Sequence, residues 1–200
     1  DPVNDAPTVI SPIADVDVAE DAADEIVDLA GVFEDIDDAS LTLSVENNTD
    51  PGLVTTDLTG ETLTLSFAAD QNGSADITIE ARDDAASVTD VFTVTVTPEN
   101  DAPTVVSPVA DVEVAEDAAD EIVDLAGVFE DIDDASLTLS VENNTDPGLV
   151  TTDLTGETLT LSFAADQNGS ADITIEARDD AASVTDVFTV TVTPENDAPT

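Results

Sequence analysis

Residues 4–99 and 100–195 are two copies of one 96-residue sequence, differing at Ile10/Val106, Ile13/Val109 and Asp17/Glu113. Such a chain must fold each copy to the same end, so any hydrophobic face buried once is buried twice. A copy of this length is large enough for its own core. The repeat therefore predicts two domains, 1–99 and 100–200, with a linker around 97–104. The linker sequence Pro98-Glu99-Asn100-Asp101-Ala102-Pro103-Thr104 recurs from 4 to 8 as its last five residues and in full from 194 to 200. Its prolines limit backbone freedom and deny the junction sheet-forming N–H groups.

Inside each copy the hydrophobic period is two. Leu41, Leu43 and Val45 alternate with Thr42 and Ser44; Leu63, Leu65 and Phe67 alternate with Thr64 and Ser66. Ile77-x-Ile79-x-Ala81 and Phe92-x-Val94-x-Val96 repeat the pattern, and Val16-x-Val18 and Val27-x-Leu29 are shorter versions. Alternation rich in Val, Ile and Thr reads as half-buried strand. Turn sequences at Asp50-Pro51-Gly52, Thr59-Gly60-Glu61, Asp70-Gln71-Asn72-Gly73 and Asp83-Asp84-Ala85-Ala86 separate the runs. The expectation is an all-β chain of two tandem immunoglobulin-like Greek-key sandwiches, about seven strands each, arranged end to end. The strands would be about 9–18, 25–33, 41–46, 53–58, 62–68, 76–82 and 87–97. An amphipathic helix over Ala19 to Phe33 is the competing reading there; Gly31 and the Ile26-Val27 pair favour strand.

Charge then limits the partners. Forty-eight Asp and Glu stand against two Arg and no Lys, a formal net charge of −46. Nucleic acid and anionic membranes repel such a chain, and cations are its natural small partners. Without Cys or His, thiolate and imidazole metal sites are excluded, leaving hard oxygen donors suited to calcium or magnesium. No apolar run is long enough to span a membrane. No signal peptide opens the sequence, as expected of a fragment cut from a longer repeat array.

If successive strands alternate in direction, the acidic loops sort onto two poles. Glu20, Asp21 and Asp70 fall at the pole where the first copy ends. Asp131, Asp133, Asp134 and Asp179 fall where the second begins, with Asn100 and Asp101 between. So many carboxylates converge only around a counter-cation. The Asp-x-Asp spacing puts two of them on one side of an extended loop, suiting an ion that takes six to eight oxygens. Asn4, Asp5, Asp35, Asp37 and Asp83 form the matching N-terminal half-site, and Glu116, Asp117, Asp166, Asn196 and Asp197 the C-terminal one.

These residues carry a family resemblance. The repeat resembles the bacterial cadherin-like tandem repeats of giant calcium-dependent surface adhesins, including those of the RTX (repeats-in-toxin) type. Asn100-Asp101-Ala102-Pro103 is similar to the cadherin linker motif, which carries a further Asn absent here. Asp131-Ile132-Asp133 resembles its Asp-x-Asp and Ala177-Arg178-Asp179 its Ala-x-Asp. Glu20 matches the glutamate ending the first strand, and Asp70 sits where the Asp-Arg-Glu motif begins, though that motif's Glu has no counterpart. The resemblance implies bound calcium, an extracellular bacterial surface location and a role as spacer modules projecting a distal binding domain. It also implies a monomer whose partners are calcium and neighbouring repeats.

The remaining acids admit simpler readings. Asp15, Asp17, Asp24, Asp28, Asp57, Asp76 and Asp90 read as solvated surface, and a halophilic or solubilising coat is the competing account of the polar loops. Arg82 and Arg178 read as partners of local carboxylates, and Phe33, Phe67 and Phe92 as core. The sequons at Asn47 and Asn72 read as turn composition. The usual bases and nucleophiles are missing, and without Trp or Tyr there is no sugar platform, so an enzyme is not expected. Asp35-Ile36-Asp37-Asp38 lacks the later Gly and Glu of an EF-hand loop. Besides the spacer, a directly adhesive module binding a sugar, a protein or another copy stays open. Near-identity of the copies and few aromatics favour the spacer.

Overall fold

The computed structural model describes residues 4–38 and 40–196. Two compact units meet in sequence between Glu99 and Asn100. In the first, the strands are β1 (Thr8–Val9), β2 (Val16–Ala19), β3 (Glu25–Asp28), β4 (Phe33–Glu34) and β5 (Thr42–Asn48). They continue as β6 (Val54–Thr59), β7 (Thr62–Phe67), β8 (Gly73–Arg82) and β9 (Ser87–Thr97). The second unit repeats them as β10 (Thr104–Val105), β11 (Val112–Ala115), β12 (Glu121–Asp124), β13 (Phe129–Glu130) and β14 (Thr138–Asn144). It ends with β15 (Val150–Thr155), β16 (Thr158–Phe163), β17 (Gly169–Arg178) and β18 (Ser183–Thr193).

Each unit is a sandwich. In the first, a four-stranded sheet ordered β2-β9-β8-β5 lies over a three-stranded sheet ordered β3-β7-β6, and β1 pairs with β4. The pairings are antiparallel except β2 with β9, which is parallel. Because successive side chains leave a strand on opposite faces, the period-two residues converge between the sheets. Leu63, Leu65, Ile77, Ile79 and Val94 are fully buried, and Phe92 is nearly so. Phe33 and Phe67 pack against this core from its margin. Each such fully buried side chain contributes about 1.5–3 kcal/mol.

Nine strands form where about seven were expected, because the first two are each split. The first strand starts beside β4, with the amides of Ile10 and Ser11 donating to the Val32 carbonyl. Pro12 then supplies no N–H. Beyond it the amide of Ile13 turns to Asp90, and the chain rejoins as β2 beside β9. The second strand breaks at a turn in which Gly31 adopts φ 74°, a value glycine takes without steric cost. Ala19 to Phe33 accordingly forms strand and turn, and no helix occurs among the described residues.

Candidate metal-binding poles

The leading pole of each unit, where the chain enters, gathers three segments. In the first unit these are the stretch before β1, the β4–β5 loop and the β8–β9 turn. Asp35 follows β4, its Oδ1 accepting the amides of Asp37 at 2.7 Å and Asp38 at 2.9 Å. This Asx arrangement folds the loop back on itself. Asp37 Oδ2 accepts the Asp5 amide at 2.8 Å. Asp83 accepts the amides of Ala85 and Ala86 on Oδ1 and the Asn4 side-chain amide on Oδ2 at 3.1 Å. Asn4 also donates to the Asp5 carbonyl. All five residues of the N-terminal half-site thus come together.

The second unit builds the same pole. Asn100 donates to Asp179 Oδ2 at 3.0 Å and to the Asp101 carbonyl at 2.6 Å. The Asp101 amide donates to Asp133 Oδ2 at 2.7 Å. Asp131 Oδ1 accepts the amides of Asp133 and Asp134. Asp179 receives the amides of Ala181 and Ala182.

The electrostatics within a pole are uneven. The amides of Ala86 and Ala85 and the Asn4 side chain hold Asp83 below the usual carboxylate range, and the Ala182 amide and Asn100 lead the same effect at Asp179. Asp38 and Asp134 are raised instead, by partial desolvation first, then by charges led by Asp35 and Asp131 respectively. One oxygen in each leading pole is left over. Oδ2 of Asp35, and equally of Asp131, is buried with no hydrogen-bond partner.

The trailing pole, where the chain leaves, is built from the β2–β3 turn, the β7–β8 loop and the residues after β9. Glu20 is only 3% exposed. Its Oε1 accepts the Glu99 amide at 2.9 Å and its Oε2 the Asn72 side chain at 3.3 Å. Asp21 Oδ1 accepts the Asp70 amide at 3.1 Å. In the second unit Glu116 holds Glu195 and Asn168, and Asp117 holds Asp166. Asn196 closes the described chain and Asp197 lies outside the described residues.

Backbone strain concentrates at this pole. Among the described residues, the non-glycine residues at positive φ are Asp21, Asp70, Asp117 and Asp166, at 53–60°. Left-handed backbone is costly for residues with a Cβ, although Asp is among those that tolerate it best. Holding two carboxylates per pole in this conformation fixes where their side chains project.

Three features escaped the sequence reading. Asp38 belongs with Asp134, from which it is displaced by one repeat step, and that equivalence alone signals it. Asn72 and Asn168 sit in what reads as an ordinary turn, yet they donate to the buried glutamate. Several acids read as solvated surface have specific partners: Asp15 accepts the Thr93 backbone amide, Asp90 that of Ile13 and Asp28 that of Ala30, while Asp76 accepts the Thr93 side-chain hydroxyl. Arg82 lies 3.7 Å from Glu80 in an exposed pair that contributes little.

The donors at both poles are oxygens. They could hold a hard cation, which would neutralise crowded carboxylates and meet the unpartnered Asp35 and Asp131 oxygens. No family model matches the chain, and no curated protein does. Among solved structures it is similar to human protocadherin-24 EC1-2, at TM-score 0.54 and 17% identity, over 94% of this chain and 99% of that one. An endo-fucoidan hydrolase of glycoside hydrolase family 107 aligns at TM-score 0.40 and 20% identity over 96% of this chain, which spans 29% of the hydrolase chain. The titin domains Z1Z2 in complex with telethonin align at TM-score 0.39 and 14% identity, over 97% of this chain and all of that one. The chain is all-β, with a cadherin-like and immunoglobulin-like sandwich in each repeat.

Proposed function

We infer that the two units are calcium-binding spacer repeats of a bacterial surface adhesin, projecting a distal ligand-binding domain from the cell. The observation that carries this reading is the buried, unpartnered Oδ2 of Asp35 and Asp131. A carboxylate oxygen shielded from water and given no donor is costly, and neighbouring carboxylates raise that cost. A calcium ion removes it, because it takes six to eight oxygens in adaptable geometry. Asp35, Asp37, Asp5 and Asp83 would hold the ion at the first leading pole, and Asp131, Asp133, Asp101 and Asp179 at the second. Glu20, Asp21 and Asp70, with their counterparts Glu116, Asp117 and Asp166, would do so at the trailing poles.

The mechanism is mechanical. Glu99 and Asn100 are consecutive, and each is tied to an acidic pole of its own unit. In this proposal the ions are shared through Asn100 and Asp101, so that bound calcium removes freedom at a junction that is otherwise mobile by default. Repeated along an array, the effect gives a stiff stalk outside the cell. Catalysis, nucleic-acid binding and membrane insertion have no place in the proposal, and the repeats act as monomers.

Small-angle scattering of the two-repeat chain tests it. In millimolar calcium the distance distribution should be narrow, with a maximum near two domain lengths, and chelation should broaden it. Identical distributions with and without calcium would leave the prolines as the sole determinant of the junction.

A further inference from the structure

Each unit carries a groove that meets the metal-binding pole at Asp35, or at Asp131 and Asp134 in the second unit, and is otherwise unused by the metal-binding reading. It opens where β5 and β6, the edge strands of the two sheets, part from each other. Its volume is about 650 Å³ in the first unit and about 630 Å³ in the second, within the ~300–1,000 Å³ range of ligand sites. Leu29, Phe33, Leu41, Leu43 and Leu58 form an apolar floor. Leu29 is buried, while the other four are half-buried. Exposed Glu34, Asp38 and Glu61 stand on the rim beside Asp35. In the second unit Leu125, Phe129, Leu137, Leu139 and Leu154 repeat the floor, and Glu130, Asp134 and Glu157 the rim. None of the three positions at which the copies differ touches either groove.

An apolar floor under an acidic rim selects a ligand that is aliphatic along its length and cationic at its end. The chain does not supply one to itself. It has no Lys, neither Arg lines a groove, and a second copy would bring a further −46 of like charge. Lysine has the required shape, because its stem lies on apolar surface while its ammonium reaches outward. The neighbouring strand β5 has a strand partner on one side only, β8, so an extended segment can lie along its other edge. On such a segment alternate side chains point the same way.

We propose that each groove docks an extended Lys-x-Lys segment of a partner protein, with lysine stems over Leu41, Leu43 and Leu58 and their ammonium groups on Glu34, Asp38 and Glu61. The site acts alongside the spacer role and does not depend on it.

The test uses the two-repeat chain in constant millimolar calcium and the peptide acetyl-Gly-Lys-Ser-Lys-Gly-amide, followed by calorimetry. A second peptide replaces both lysines with diaminopropionate, which keeps an amine but removes most of the stem. The lysine peptide should bind at two sites per chain and at least fivefold tighter than the short-stem peptide. Glu34→Gln and Glu61→Gln, made together with Glu130→Gln and Glu157→Gln, should weaken it at least threefold. Glu25→Gln with Glu121→Gln, on exposed β3 and β12 positions, should not. Equal affinity for both peptides, or equal loss in both sets of variants, would mean attraction to net charge alone and would overturn the proposal. Absence of binding at millimolar peptide, with unchanged melting curves of the variants, would overturn it as well.

Discussion

The backbone amide of Ile13 donates to Oδ2 of Asp90 at 2.7 Å, and Val109 does the same to Asp186. Asp15 answers from the other side, its Oδ1 accepting the Thr93 amide at 2.8 Å. Between β1 and β2 the chain has left one sheet and not yet joined the other, so side-chain carboxylates replace the missing strand partner. Replacing Asp90 and Asp186 by Ala leaves the part-buried amides of Ile13 and Val109 unsatisfied, at about 1–3 kcal/mol each. Asp57→Ala with Asp153→Ala, on exposed positions of β6 and β15, should stay within about 0.5 kcal/mol of the parent. Urea denaturation distinguishes them, and equal midpoints would show that the carboxylates cap nothing of consequence.

Calcium that binds only the folded repeats stabilises them by mass action, by about 2.7 kcal/mol at a hundredfold excess over its dissociation constant. Extracellular calcium modules bind at about 10⁻⁴–10⁻³ M, so millimolar calcium should raise the melting temperature by several degrees over chelator. Superimposable melting curves would favour a solubilising acidic coat.

Asp101 supplies an amide to Asp133 and in the proposal a carboxylate to the shared ions. Asp101→Ala should therefore lower calcium affinity several-fold in calorimetry, whereas Asp57→Ala should leave it unchanged. If both weaken binding alike, diffuse charge rather than a site holds the ion.

The two kinds of perturbed carboxylate give the calcium-free protein a distinctive acid response. Asp38 and Asp134 ionise less readily folded than unfolded, so they penalise the folded state at neutral pH. That penalty fades as pH falls through their raised values. Asp83 and Asp179 are depressed on folding; their stabilisation is present above the unfolded carboxylate range and is lost as pH falls through their lowered values. Melting temperature in chelator should thus climb from neutral to mildly acidic pH and then drop. Asp38→Asn with Asp134→Asn should shrink the climb, and Asp83→Asn with Asp179→Asn should lower stability at neutral pH. A steady decline from neutrality in the parent protein would contradict this ordering.

Much of the fold was legible in the residues alone. The alternation Leu63-x-Leu65 or Ile77-x-Ile79 states which face each side chain takes, because neighbours on an extended backbone point to opposite sides whatever the pairing. That property is local, and it identified two β-sandwiches and their core. The acid-rich loops were legible for the same reason, since polar turn residues cannot lie between sheets. What the linear sequence lacks is the partner of each backbone group. Whether residues 9–18 make one strand or two depends on which neighbours its amides meet, and Asp90 lies 77 residues from Ile13. Asp15 and Asp90 therefore look like solvated surface until the fold brings them to amides. Likewise, Asn72 looks like a turn residue until the β7–β8 loop meets Glu20. The unpartnered oxygens of Asp35 and Asp131 and the grooves between β5 and β6 or β14 and β15 are also matters of packing. Composition sets the charge; only closure of the sheets decides which carboxylate oxygens are shielded from water and which apolar side chains stay uncovered.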